Sequence, residues 1–207
     1  MSCNPIYPDE NIQMLGVVLC GGKSSRMGED KGLLKITDKT WTELALIKLE
    51  GLSIPVCVSI NPSQKEQYQS FLHLELLVED SIEDLGPLTG LLSVHNQYPY
   101  HDLIILACDM IDIPEFIIDK LYKEFRSREG EHDFFVYKFN DEFEPLLGIY
   151  TREGLQKIAD LYTLGQIGKP SMKHILEMGN TYAIPISEEE YAFFSNYNSP
   201  QNLSEIR

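Results

Sequence analysis

Short apolar runs rich in β-branched residues alternate along this chain with segments whose apolar residues recur at helical spacing. No other feature restricts the fold as strongly. Leu15–Cys20, Ile54–Ile60, Leu74–Val78 and Leu103–Ala107 read as strands, and the last is apolar throughout, as strands buried on both faces are. Between and after them, Thr40–Leu49, Pro62–Phe71, Pro87–His95 and Ile113–Phe125 read as helices, with Pro62, Pro87 and Pro114 in or near first turns. Phe134–Phe139 and Pro145–Tyr150 read as consecutive strands joined by a polar turn at 140–142, which implies an antiparallel insertion or edge. Two helices (about 152–162 and 170–178) and a strand near Tyr182–Ile186 complete the pattern. Strands alternating with helices imply an α/β fold, Rossmann-like, with three layers around a mostly parallel twisted sheet that carries a small antiparallel part.

Residues 1–13 are polar and Pro-containing and read as a loose lead-in, leaving 14–207 as a single domain. The chain has 207 residues, with 17 Lys and Arg against 32 Asp and Glu, a formal charge of −15. That balance excludes a binder of duplex nucleic acid, which needs a basic footprint, and a binder of anionic membranes. It leaves room for a small anion held by a few local cations. The start lacks a basic segment and an apolar core, so it does not read as a secretory signal. Leu103–Cys108 is far too short to span a bilayer. Cys3, Cys20, Cys57 and Cys108 form no C-x-x-C pair and read as small buried residues in a reducing cytoplasm.

In such sheets, ligands bind beyond the carboxyl ends of strands. The segment leaving the first strand holds Gly21, Gly22, Arg26 and Lys31. Two glycines permit close backbone approach and positive φ, and the cations supply what a phosphate needs. From Gly22 to Lys35 there are four basic residues (Lys23, Arg26, Lys31, Lys35) and two acidic ones (Glu29, Asp30), so the loop is locally positive. It is neither a Walker A loop nor a G-x-G-x-x-G turn. The plain alternative is a surface turn with solvated cations.

Leu19, Gly21, Gly22, Ser24, Arg26, Met27, Gly28, Asp30 and Lys31 together fill the pattern L-x-G-G-x-S-x-R-M-G-x-D-K. This resembles the molybdenum cofactor guanylyltransferases of the MobA type. The related cytidylyltransferases usually carry Ala-Ala-Gly where this chain has Cys20, Gly21 and Gly22, so the double glycine leans toward guanine. The resemblance continues through Asn61 after the second strand, Asp80, and the G-P-L-x-G turn at Gly86–Gly90. Further on come Asp109 after the apolar strand, the P-L-x-G-x-Y strand at Pro145–Tyr150, the helix from Ser171, and the C-terminal stretch with Asn198. Met110 and Ile111 stand where a proline is common, and Asn202 replaces the usual Asp.

The resemblance implies a nucleotidyltransferase (GT-A-like) fold and transfer of GMP from GTP to the terminal phosphate of molybdopterin or Mo-molybdopterin, with release of pyrophosphate. It implies that Leu19, Cys20, Gly21, Gly22, Lys31, Asn61, Asp80 and Asp109 contact GTP, that Arg26, Lys31 and Asp109 are catalytic, and that Asp109 and Asn198 hold Mg²⁺. Ser171 and Lys173, with His174, would meet the pterin's phosphate. It also implies transient contact with other cofactor-biosynthesis proteins or recipient molybdoenzymes. Bland readings stand beside these: Asn61 as a turn former, Asp109 as a cap, and Lys173 and His174 as solvated residues of an amphipathic helix. The competing functions are a sister nucleotidyltransferase using CTP or a sugar-phosphate acceptor, and a nucleotide-binding regulator without catalysis.

Overall fold

The computed structural model describes residues 14–21, 30–82, 85–168 and 171–194. In chain order the strands are β1 (Met14–Leu19), β2 (Lys35–Ile36), β3 (Lys39–Thr40), β4 (Val56–Ile60), β5 (Leu77–Glu79), β6 (Asp102–Ala107), β7 (Phe134–Phe139), β8 (Glu142–Tyr150) and β9 (Thr181–Pro185). The helices are α1 (Trp41–Glu50), α2 (Lys65–Gln69), α3 (Pro87–Gln97), α4 (Glu115–Ser127), α5 (Arg152–Thr163), α6 (Met172–Met178) and α7 (Glu188–Tyr191). Among the described residues, seven strands form one sheet in the order β5-β4-β1-β6-β8-β7-β9, and β2 and β3 form a separate antiparallel pair. β8 runs antiparallel to both its neighbours, whereas β5, β4, β1 and β6 are parallel, as are β7 and β9.

Alternation along the strands divides the core into two. Val18, Val58, Ile104 and Leu106 point toward α1 and α4, where Leu46, Leu49, Ile117 and Leu121 meet them. Val17, Cys57, Leu103 and Ile105 point to the other face, against Leu88, Leu91 and Leu92 of α3, Leu155 of α5 and Ile175 of α6. Helix, sheet and helix are therefore stacked as three layers, the arrangement in which a parallel sheet buries both faces. Among the described residues, no helix is long and apolar enough to cross a membrane.

Three local expectations change. Leu74–Leu76 is a 3₁₀ turn, and β5 begins only at Leu77, where pairing with β4 starts. Pro62–Phe71 divides into a 3₁₀ turn at Pro62–Gln64 and the short α2. β8 begins at Glu142 because Asn140 and Asp141 both take positive φ (45° and 66°), making a two-residue hairpin turn. Of the two placements expected for the β7–β8 hairpin, insertion holds: β8 lies inside the sheet, and β9 closes that side. Its register against β7 jumps from Gly148↔Val136 to Glu144↔Tyr137, so residues 145–147 bulge, which is where a strand tolerates Pro145.

Candidate active site

From β1 the chain builds outward through β4 to β5, then returns to place β6 on the other side of β1. The strand order reverses between β1 and β6, and the crevice beyond their carboxyl ends is where such sheets bind ligands. Cys20 and Cys108 close this edge: the Cys108 N–H donates to the Leu19 carbonyl (3.1 Å) and the Cys20 N–H to the Ser59 carbonyl (2.9 Å). Asp109 follows directly on the β6 side. Its Oδ2 accepts from Lys31 Nζ at 2.8 Å, both side chains being less than a fifth exposed. Lys31 opens a 3₁₀ turn capped by Asp30, whose Oδ1 accepts from the Gly32 N–H (2.9 Å) and from the Tyr68 hydroxyl (3.1 Å). On the far side of Asp109, Lys48 of α1 donates to the Ile111 carbonyl at 2.5 Å, and burial lowers its pKa while Asp112 and Glu115 oppose the shift.

Asp80 leaves the end of β5, with its N–H donating to the Ile60 carbonyl (2.9 Å). Ser59, fully buried, donates to Asp80 Oδ1 at 3.0 Å. Burial pushes the Asp80 carboxyl up to about 6, against the pull of the Ser59 hydrogen bond. A Cβ on Gly21 would lie 2.7 Å from Asp80 Oδ2, so only glycine lets this carboxylate sit against the end of the first strand. Gly86 takes a positive φ (62°) and opens α3 ahead of Pro87. Thr89 of that turn accepts from the Leu85 N–H (3.0 Å), and a Cβ on Gly90 would stand 2.3 Å from Ser59 Oγ. The G-P-L-x-G turn thus presses α3 onto the serine that holds Asp80. Asn61 caps the turn after β4, its Oδ1 accepting from Ser63 N (3.0 Å) and Oγ (2.8 Å).

Beyond Gly86 opens a cleft of about 720 Å³, lined by Leu85, Gly86 and Pro87, by Pro145 and Leu146 of the bulge, and by Ser171, Lys173 and His174 around the start of α6. Glu142 and Glu177 bring negative charge to the same cleft. Lys173 Nζ is hydrogen-bonded to Glu142, which raises its pKa. Ser171 Oγ accepts from the His174 N–H (3.2 Å) as the N-cap of α6. Of the three side chains expected to meet a phosphate, Ser171 and Lys173 therefore have partners within the protein.

Residues 16–181 match the MobA-like NTP transferase domain. The chain belongs to that family. Among its relatives, a molybdenum cofactor biosynthesis bifunctional protein from Synechocystis is 32% identical over 196 residues, covering 93% of this chain and 53% of the relative. The chain thus spans about half of that relative. A probable molybdenum cofactor guanylyltransferase from Natranaerobius thermophilus is 27% identical, with 92% and 93% covered. Molybdopterin-guanine dinucleotide biosynthesis protein A from Archaeoglobus fulgidus has the same fold, with a TM-score of 0.73 at 19% identity and 94% and 96% of the chains covered.

In this MobA-like domain, Leu19, Cys20, Gly21, Lys31, Asn61, Asp80 and Asp109 all lie around the carboxyl ends of β1, β4, β5 and β6. Arg26, Gly22, Asn198 and Asn202 lie outside the described residues, as do 1–13. Among the described residues, no cluster of three or more His, Cys, Asp or Glu forms a metal cage. A single carboxylate beside a lysine nevertheless fits Mg²⁺, which is commonly held by one or two carboxylates together with substrate phosphates. The supporting residues Ser59, Gln64, Tyr68 and Lys48 were not legible as such in the sequence. They act through contacts 21 to 63 residues away in the chain, and only the N-x-x-Q capping pattern at Asn61 and Gln64 carried a local signal.

Proposed function

We propose that the protein transfers GMP from GTP to the terminal phosphate of molybdopterin, forming a pterin guanine dinucleotide and releasing pyrophosphate. The observation that carries this reading is the Asp80 carboxylate held by Ser59 against Gly21, at the same end of the sheet as the Lys31–Asp109 pair. A carboxylate accepts from both the N1–H and the exocyclic amine of guanine; cytosine offers no such pair of donors. Asn61 adds an amide donor on the same edge. A phosphate monoester is already a competent nucleophile, so the protein's task is to position it and to neutralise charge on the triphosphate. Lys31 and Arg26, with the backbone at Leu19 to Gly22, would receive the leaving pyrophosphate. Asp109, with Asn198, would hold Mg²⁺, which supplies charge stabilisation at the α-phosphate. The acceptor would lie in the cleft between the Gly86 turn, the β8 bulge and Ser171 and Lys173, in a cytoplasmic setting.

The test is incubation of the pure protein with GTP, Mg²⁺ and molybdopterin. Pyrophosphate released in step with pterin dinucleotide is expected. Hydrolysis of GTP without dinucleotide, or transfer to a sugar phosphate in its place, would refute the assignment.

A further inference from the structure

We propose that Gln64 is a positioning residue for the reaction, tying the end of β1 and the base-side turn to the segment that carries Lys31. Its carboxamide makes three hydrogen bonds in three directions. Nε2 donates to Asp30 Oδ2 at 2.5 Å and to the Cys20 carbonyl at 3.2 Å, while Oε1 accepts from the Asn61 N–H at 2.6 Å. A primary amide has two donors on nitrogen and an acceptor on oxygen, so glutamine matches all three partners where Glu, Lys or Leu would not.

The partners stand at the three places from which a nucleotide would be held. Cys20 follows β1, Asn61 follows β4, and Asp30 directly precedes Lys31. Lys31 is fixed from both sides. Before it, Asp30 is held by Gln64 and by the buried Tyr68 hydroxyl. After it, the Gly32 carbonyl accepts from Thr42 Oγ1 at 2.9 Å, and a Cβ on Gly32 would stand 2.1 Å from Tyr68 Oη. With its backbone pinned at Asp30 and Gly32, Lys31 Nζ reaches Asp109 Oδ2. Gln64 touches neither Lys31 nor Asp109 in these contacts, so it acts through Asp30 by fixing where the ammonium starts from. Misplacement by about 1 Å is enough to cost a positioned reaction a large factor.

The inference rests on Lys31 facing the triphosphate, as proposed above, and its test separates the two. Q64L, Q64E and the double variant Q64E/D30N are compared with wild type for thermal stability and for kcat and KM in GMP transfer. Gln64 is half-buried on a short 3₁₀ turn, so all three are expected to fold. Q64L and Q64E should lower kcat at saturating GTP by about tenfold, a loss that substrate concentration does not restore. In Q64E two carboxylates face each other. Adding D30N sets an amide donor opposite the introduced carboxylate, restoring the hydrogen bond with its polarity reversed, and kcat should recover several-fold. Wild-type kcat in Q64L, or a Q64E defect that D30N deepens, would overturn the assignment alone. Wild-type protein without transfer activity would overturn the functional reading and this assignment with it.

Discussion

Lys31 and Asp109 pair across 2.8 Å, and on the proposed reading the Lys31 ammonium would serve the triphosphate oxygens and the Asp109 carboxylate would hold Mg²⁺. Lys31→Ala and Asp109→Ala should each lower turnover at least about tenfold, ~1.4 kcal/mol of transition-state stabilisation, measured at saturating GTP. Asp80 serves a different purpose and carries a stability cost. Its folded pKa, about 6, lies above the ordinary value, so the stability it contributes is present in acid and lost as pH rises through about 6. Asp80→Asn should therefore raise the melting temperature of the nucleotide-free protein clearly more at pH 8 than at pH 4.5, where the cost is only partly developed. The same change replaces an acceptor with an amide donor, so the preference for GTP over ITP, which lacks the exocyclic amine, should fall by about tenfold or more. An equal melting shift at both pH values would contradict the account of the buried carboxylate.

At the scale of elements, one turn illustrates how differently two glycines are required. Gly86 has open space around the position of a Cβ but takes φ 62°, whereas Gly90 has no space and abuts Ser59. Gly86→Ala should cost about 1–3 kcal/mol through the backbone, because φ 62° with ψ −137° is a conformation that side chains rarely adopt. Gly90→Ala should cost ~1–3 kcal/mol through overpacking and should also weaken guanine selection, because it displaces the serine that holds Asp80. Urea unfolding, with GTP and ITP binding in each variant, separates the two causes. The strands at 103–107 and 134–139 were legible because their apolar runs match the buried faces of a sheet. The exact start of β5 was not, since Leu74–Leu76 carries the same composition and lacks only a partner strand. Nor was the place of β8: a hairpin signal fixes which strands pair, while the strand on its other side is chosen by distant packing.

Across the whole molecule, the reversal of strand order between β1 and β6 gathers residues from four separate stretches of sequence into one crevice. The stations of the motif pattern were therefore readable in order along the chain, at Gly21, Asn61, Asp80 and Asp109. Their supports were not, because Ser59, Gln64, Tyr68 and Lys48 act on partners that only the fold brings near. The charge of −15 is likewise uneven: ten acidic residues and one basic occur between Leu72 and Lys120, and they include both Asp80 and Asp109. An acidic chain with a local surplus of cations in one loop, four basic against two acidic residues from Gly22 to Lys35, suits a small, metal-bridged anion. The most direct test of the central claim is side-by-side transfer from GTP and from CTP to molybdopterin at equal Mg²⁺. The account predicts a kcat/KM for GTP at least about a hundredfold above that for CTP, from two charge-assisted hydrogen bonds to Asp80; equal use of the two nucleotides, or preference for CTP, would contradict it.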